Sequence, residues 1–487
     1  MKPTKPGKVR EPVAESNSQQ LFARLAAEGA MIASLAADSR RCAPGVAFFA
    51  YPGESADGRS HIADAVGRGA AAVVWEAERF DWRPEWRVPN APVRGLRNEA
   101  GRLAHEFYGR PSQALWTCGI TGTNGKTSCS HWLAALLGER GVKTGVIGTL
   151  GAGFRGALSG ATNTTPDALE VHRLLKAMRD DGAGAAAMEV SSHGLVQGRV
   201  NGVRFACALF TNLSHDHLDY HRSMDAYAEA KARLFETPGL GAAVVNIDDP
   251  VGARIAARSA VRTITYGFSE KAELRTVSVR GSKVDIASSW GKAEATIAAV
   301  GRFNVANALG VLGCLIVYGV DFKEAVRLLE HLPPVPGRME RIGDSPLVVV
   351  DYAHTPDALE KVLTALRPVA EERGGRLAIV FGAGGDRDAT KRPLMGAVAT
   401  RLADRALATS DNPRSEDPLA IIRQIGVADS EVDRARAIER AILDAAPRDV
   451  VLVAGKGHES YQEIAGKRLP FSDAAVARAA LAKRGKK

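Results

Sequence analysis

The chain has 487 residues, 45% hydrophobic and 24% charged, with a net charge of +9. That length suggests about three domains, and that balance is ordinary for a globular protein whose cores need no metal or disulfide staple. The five cysteines (Cys42, Cys118, Cys129, Cys207, Cys314) form no CxxC pair, which argues against a disulfide framework and for reduced thiols in a cytoplasmic protein.

The chain opens on a Lys-, Pro-, Ser- and Gln-rich stretch with no apolar core behind it, so residues 1–18 are expected to be a disordered basic tail rather than a signal peptide. The C-terminal AKRGKK is a similar basic end. Part of the positive charge sits in these tails. No Lys/Arg stripe with interleaved aromatics accompanies it, and nucleic-acid binding is not expected. A site for phosphates and carboxylates draws positive charge as well. The longest apolar stretch, Ala308 to Val320, is too short to span a bilayer, so no membrane insertion is expected.

Two Pro/Gly junctions, Tyr108 to Ser112 and Leu332 to Gly337, read as linkers. They give an N-terminal segment 19–112, a central segment 113–336 and a C-terminal segment 337–487. In the central segment, apolar runs at Trp116–Ile120, Ala186–Val190, Cys207–Thr211 and Ala242–Asn246 predict buried strands. Amphipathic stretches at His131–Arg140 and Ala168–Arg179 predict helices between them. The last segment repeats the pattern with Leu347–Asp351, Leu377–Phe381 and Val450–Ala454. Alternation of this kind predicts an α/β chain of parallel sheets with helical crossovers; with the phosphate loop and the family resemblance described below, the expected architecture is three domains, a central P-loop ATPase domain and a C-terminal Rossmann-like domain among them. Ligands then bind at the carboxyl ends of the strands.

The clearest chemical signal is Thr121-Gly-Thr-Asn-Gly-Lys-Thr-Ser128, between a predicted strand and a predicted helix. Gly122, Thr123, Asn124 and Gly125 can turn backbone N–H groups toward phosphate. Lys126 adds a point charge, Thr127 a hydroxyl for Mg²⁺, and Ser128 continues the turn. Ile120 stands where the usual P-loop has its first Gly. A P-loop alone implies only a nucleoside triphosphate such as ATP. Glu189, at a predicted strand end in Met188–His193, can hold the Mg²⁺ that Thr127 also touches. Thr211-Asn-Leu-Ser-His-Asp-His-Leu-Asp-Tyr-His221 puts three His and two Asp in seven residues, more than a solvated loop needs. A dinuclear zinc hydrolase string, HxHxDH, is missed by one residue at Tyr220 and stays a minor alternative.

GTNGKTS, EVSSHGL, TNLSHDHLDYH and Ala230–Phe235 occur in the order seen in the Mur ligase family, which the chain resembles from about Leu35 to Asp473. The resemblance implies that Lys231 is carbamylated and, with His217, serves a second Mg²⁺; carbamylation needs a neutral amine and so a depressed lysine pKa. It implies adenine binding at Asn304, phosphate contact from Arg338 and ribose contact from Asp351. Lys126, Lys231, His217 and Glu189 become the catalytic set. Ser39, Glu54, Ser55 and Ala56 resemble the uridine half-site. Asn163, Thr164, Thr165, Ser191, Gln197 and Arg199 resemble the muramoyl-dipeptide site.

The strings Phe381–Arg387, Asp411–Arg414 and Gly455–Glu459 resemble the members that add diaminopimelate. Arg387, Asp411, Asn412, Pro413, Arg414, Gly455 and Glu459 would hold that amino acid. The implied reaction joins meso-diaminopimelate to UDP-N-acetylmuramoyl-L-alanyl-D-glutamate in cell-wall synthesis, with ATP and Mg²⁺, by a cytoplasmic enzyme expected to be a monomer. Two rivals stay open. One is folylpolyglutamate synthetase, which shares the P-loop ligase core; the other is a P-loop switch that hydrolyses ATP without ligating anything.

Overall fold

A computed structural model describes residues 18–54, 56–160, 163–297 and 301–484. The expected N-terminal tail, apart from its last residue, lies outside the described residues, as do Ser55 and the last three residues of the basic C-terminus. The chain forms two compact units. The first comprises the described residues within 1–121, 141–208 and 233–241, and the second those within 122–140, 209–232 and 242–487.

After helix Ser18–Ala27, the first unit has four parallel strands, Ser34–Ala36, Val46–Ala50, Ala72–Glu76 and Asn90–Val93, in sequence order. Phe49, Val74 and Ala91 face a core closed by Leu96, Ala100, Leu103 and Ala104 of helix Leu96–Phe107. Further on, strand Ala185–Glu189 lies between Trp116–Thr121 and Thr144–Gly148, all parallel. Apart from the partly buried Trp116, these strands are buried along their whole length, which is why they read as continuous apolar runs rather than alternating ones. Helix Ala168–Asp180 begins where Asp167 accepts from the backbone N–H groups of Leu169 and Glu170.

In the second unit, strands Ala242–Asn246, Arg262–Gly267 and Leu274–Arg280 run parallel, and two antiparallel strands extend them. A separate six-stranded sheet has the order Glu340–Asp344, Leu347–Asp351, Val450–Ala454, Leu377–Phe381, Arg405–Thr409, Asp429–Glu431. All pairs but the first are parallel. Its central strands bury both faces by alternation. Leu347 and Val349 meet Leu359, Leu363 and Met395 on one side. Val348 and Val350 meet Ile438, Ile442 and Ala477 on the other. Helices therefore cover both faces, the doubly wound arrangement that leaves strand ends free for ligands. Each predicted strand is present to within about a residue or two at its ends. Ala308–Val320 falls mostly within helix Arg302–Tyr318. Among the described residues no helix is long and apolar enough to cross a membrane.

Candidate functional site

Strand Trp116–Thr121 leads into the phosphate loop, and helix Lys126–Glu139 leaves it. Gly122 and Gly125 have φ of +146° and +89°, which L side chains rarely adopt. A Cβ at Gly122 would lie 1.9 Å from Thr211 Oγ1, and one at Gly125 would lie 2.4 Å from Asn307 Oδ1. Neither position admits a side chain. The N-cap Gly125 offers no side-chain cap, and the helix N-terminus follows directly on the loop, the geometry of an anion-binding turn. The loop is braced from the histidine-rich string: Asn212 carbonyl accepts from Thr123 N–H at 2.8 Å, and Asn212 Oδ1 from Asn124 N–H at 3.1 Å.

Two lysines close on this loop. Lys126 Nζ donates to the Gly122 and Thr123 carbonyls, both at 2.8 Å. Lys231, on helix Met224–Ala232, is 1% exposed and donates to the same Gly122 carbonyl at 2.8 Å. Its ammonium also lies 4.6 Å from the Tyr227 ring centroid. Burial, and then the charge of Lys126, push its pKa well below the ordinary lysine value; Asp216 opposes them. That favours the neutral amine over the ammonium.

The histidine-rich string does not act as one cluster. Among the described residues, none of its His and Asp side chains joins a group of three ligand atoms within 4.8 Å of one another, which disfavours the dinuclear zinc alternative. His221 stacks on Tyr227 at 4.9 Å. His217, with φ of +54°, is half-exposed, and its Nε2 lies 3.5 Å from Asp216 Oδ2. Burial pushes the Asp216 carboxyl up, but His354, His217 and Lys391 outweigh it and hold the pKa below its ordinary value.

From the C-terminal segment Arg338 reaches back, and its Nη2 donates to Thr127 Oγ1 at 3.1 Å. Its guanidinium lies over the Tyr352 ring at 4.4 Å. Asp351 accepts from Met339 N–H at 2.7 Å and Ala353 N–H at 2.8 Å, one on each carboxylate oxygen. Each oxygen keeps lone-pair capacity for a second donor. His354 Nδ1 pairs with the Tyr352 carbonyl at 2.8 Å. Asn304 is buried, as are Thr127 and Ser128.

In the first unit Glu189 is fully buried and accepts from Thr149 N–H at 2.9 Å and Thr149 Oγ1 at 3.0 Å. Thr164 Oγ1 pairs with Thr149 Oγ1 at 3.1 Å, and Thr165 Oγ1 donates to the Glu189 carbonyl at 2.9 Å. Ser191 caps helix Ser192–Val196. Glu54, Asn163, Gln197 and Arg199 line one cavity of about 600 Å³ together with Arg97 and Asp167. There Glu54 accepts from Gln197 Nε2 at 2.6 Å and pairs with Arg97 at 3.1 Å, while Arg199 donates to the Thr165 carbonyl at 2.7 Å. Ser39 and Ala56 are not among its lining residues. Arg97 and Asp167 carry no short motif that would single them out; only the fold brings them here.

At the carboxyl ends of the six-stranded sheet, Asp411–Arg414 meets Gly455–Glu459. Lys456, which sequence reasoning missed, is fully buried; its Nζ donates to Asn412 Oδ1 at 2.9 Å and Glu459 Oε2 at 2.7 Å. Asn412 Nδ2 donates to the same Glu459 oxygen at 2.8 Å. Asp411 Oδ2 is buried with no hydrogen-bond partner. A Cβ at Gly455 would sit 2.5 Å from it. Arg414, at φ +52°, donates to the Gly385 carbonyl at 2.6 Å, whereas Arg387 is exposed. Pro413 lies buried within the turn. Beneath it, Arg434 forks onto Asp473 with two bonds of 2.7 Å and donates to the carbonyls of Ser410 and Ala454. Those are the residues just before Asp411 and Gly455.

Three family profiles match the chain: Mur ligase family, catalytic domain, at residues 31–108; Mur ligase middle domain at 120–315; and Mur ligase, glutamate ligase domain, at 337–457. A UDP-N-acetylmuramoyl-L-alanyl-D-glutamate–2,6-diaminopimelate ligase of Chromobacterium violaceum is 50% identical, covering 94% of this chain and 96% of its own. The Pseudomonas aeruginosa protein of the same name is 49% identical over 95% and 97%. A solved structure of a UDP-N-acetylmuramoyl-L-alanyl-D-glutamate–2,6-diaminopimelate ligase matches at 35% identity and a TM-score of 0.66, covering 93% of this chain and 95% of that one. A MurF ligase from Thermotoga maritima in complex with ADP shares the fold at 17% identity and a TM-score of 0.63, over 93% and 97%. The three-domain α/β architecture and the sequence identity across nearly the whole length lead to one conclusion: this chain belongs to the Mur ligase family.

Proposed function

We propose that this chain is a cytoplasmic ATP-dependent ligase that joins meso-diaminopimelate to the D-glutamate of UDP-N-acetylmuramoyl-L-alanyl-D-glutamate in bacterial cell-wall synthesis. The observation that carries it is the 3.1 Å contact of Arg338 with Thr127: a cation from the C-terminal segment already sits on the phosphate-loop hydroxyl. Relatives at 45–50% identity that bear this enzyme's name support the choice of substrates. The segments 19–112, 113–336 and 337–487 are assigned to muropeptide, ATP and amino acid respectively.

The reaction has two steps. An oxygen of the D-glutamate γ-carboxylate attacks the γ-phosphorus of ATP, and the bond to ADP breaks. The amine of the amino acid then attacks the acyl carbon, loses a proton, and phosphate leaves. Carboxylate and triphosphate repel one another, so the task is to neutralise and align. Lys126 and the N-terminus of its helix are assigned to the β- and γ-phosphates, and Arg338 to the γ-phosphate. Asn304 is assigned to adenine, and Asp351 offers its remaining lone pairs to the ribose.

Thr127, Glu189, His217 and Lys231 as its carbamate are assigned to Mg²⁺, a hard oxygen and imidazole set that suits this ion. Bound there, Mg²⁺ supplies charge neutralisation on the transferring phosphoryl group. In the cavity, Asn163, Gln197 and Arg199 are assigned to the muramoyl-dipeptide, with Thr164, Thr165 and Ser191 holding its walls. Ser39, Glu54, Ser55 and Ala56 are assigned to uridine. Arg414 and Arg387 are assigned to diaminopimelate carboxylates; Asp411, Asn412, Glu459 and the Gly455 carbonyl take its ammonium groups, and Pro413 sets the turn.

The test is isotopic. With ¹⁸O in the D-glutamate γ-carboxylate, the released phosphate should carry one ¹⁸O. Unlabelled phosphate would exclude the acyl-phosphate route.

A further inference from the structure

A second cavity in the first unit, of about 640 Å³, is separate from the muropeptide cleft in its lining residues. Its volume is that of a small-ligand site. Arg102 of helix Leu96–Phe107, Arg204 of the loop that ends before Cys207 and Arg233 of the turn Arg233–Glu236 line it, against one carboxylate, Glu236. Arg102 pairs with Glu99 at 3.2 Å on the exposed side. Among the described residues, the guanidinium groups of Arg204 and Arg233 have no ion-pair or hydrogen-bond partner. The buried His105 also lines the cavity, and its Nδ1 has no hydrogen-bond partner. Asn98 and Gln113 also line the cavity.

The loop from Leu195 to Arg204 is shared between the two cavities by alternation. Gln197 and Arg199 line the first, whereas Val196, Gly198 and Val200 line the second. The loop is pinned to its neighbours at Asn201, whose Nδ2 donates to the Asn98 carbonyl at 3.0 Å and whose carbonyl pairs with His172 Nε2 at 2.9 Å.

We infer that the second cavity is an effector site for a small phosphorylated ligand, a phosphate ester or diphosphate, and that its occupation tightens binding in the first cavity. Three forked cations around one pocket match phosphate oxygens, which accept bidentate guanidinium pairs. An anion held by Arg204 and Arg233 fastens the loop that carries Gln197 and Arg199, so part of the ordering cost of the muropeptide is met beforehand. The coupling rests on the reading of the first cavity given above; the anion site itself does not.

Inorganic pyrophosphate is the probe, used with the full chain in metal-free buffer at fixed ionic strength. Equilibrium dialysis should show a class of sites that the double variant Arg204→Ala/Arg233→Ala weakens by about tenfold or more, as removal of charged partners does. Lys126→Ala should leave that class in place. Loss in Lys126→Ala alone would put the anion in the nucleotide loop and overturn the proposal. So would an isotherm unchanged in the double variant. Calorimetry in the same buffer should show the UDP-muropeptide binding several-fold tighter with pyrophosphate present, and no such gain in the double variant. Pyrophosphate bound without that gain would overturn the coupling. Failure of the muropeptide to bind in any state would sink the reading of the first cavity, while the dialysis result still decides the second.

Discussion

Lys126 and Lys231 share one acceptor, the Gly122 carbonyl, at 2.8 Å each. Burial first, and then repulsion by the Lys126 ammonium on the same carbonyl oxygen, hold Lys231 toward its neutral form, the form carbamylation needs. Lys231→Ala should fold and bind nucleotide yet lose most ligation, with partial rescue by bicarbonate or a short carboxylic acid. With ¹³CO₂, a carbamate resonance should be present in wild type and absent in the variant. Full activity of the variant without additive would falsify the role of Lys231.

The phosphate loop and the muropeptide cavity draw on different residues. Lys126→Ala should abolish acyl-phosphate formation, read as ¹⁸O transfer to phosphate, while the dissociation constant of the UDP-muropeptide changes little. Equal loss of both would mean that the substitution damages the fold instead.

Arg414 lies in the Asp411–Arg414 turn beside the network of Lys456, Asn412 and Glu459. A buried charged partner is worth ~2–5 kcal/mol. Arg414→Ala should therefore lower kcat/KM for diaminopimelate more than tenfold without gaining comparable use of lysine. Competition between the two amino acids at equal concentration, with products weighed, gives the answer. A variant that still prefers diaminopimelate at the wild-type rate would remove Arg414 from the site.

Arg434 and Asp473 are both fully buried, and Arg434 ties together the strand ends before Asp411 and Gly455. Removing one partner of such a pair costs ~3–5 kcal/mol, because the other charge is left without compensation. Arg434→Met should unfold at lower denaturant, whereas Arg434→Met/Asp473→Leu should recover part of the loss. A midpoint unchanged in the single variant would contradict this account.

His172 is buried, and burial, the main cause, lowers its pKa to about 4. The folded pKa lies below the unfolded one, so the contribution is present above about pH 6.5 and is lost as pH falls toward 4. Denaturation midpoints should drop over that window by the equivalent of about 2–3 kcal/mol. His172→Gln should flatten the slope. Parallel slopes in the two proteins would rule this out.

How far the sequence could be read depended on whether a feature was local. Trp116–Thr121 and Val450–Ala454 were legible because strands buried on both faces need unbroken apolar runs. The phosphate loop was legible because its glycines and Lys126-Thr127 are contiguous. Lys231 could be singled out only by resemblance, since nothing in its neighbours distinguishes it from a solvated helix lysine. Asn307 against Gly125, Tyr227 against Thr123, and Lys456 under Asn412 depend on tertiary approach. Asn307 had a faint signal, lying one helical turn after Asn304. Lys456 had none, because a lysine between two glycines reads as exposed.

The most direct measurement of the central claim is ADP release by wild-type protein with UDP-N-acetylmuramoyl-L-alanyl-D-glutamate and a panel of amino acids, with the products weighed. ADP release should require both substrates, and the product should carry one diaminopimelate residue. ADP release that ignores the amino acid, or a product built mainly from lysine or glutamate, would contradict it.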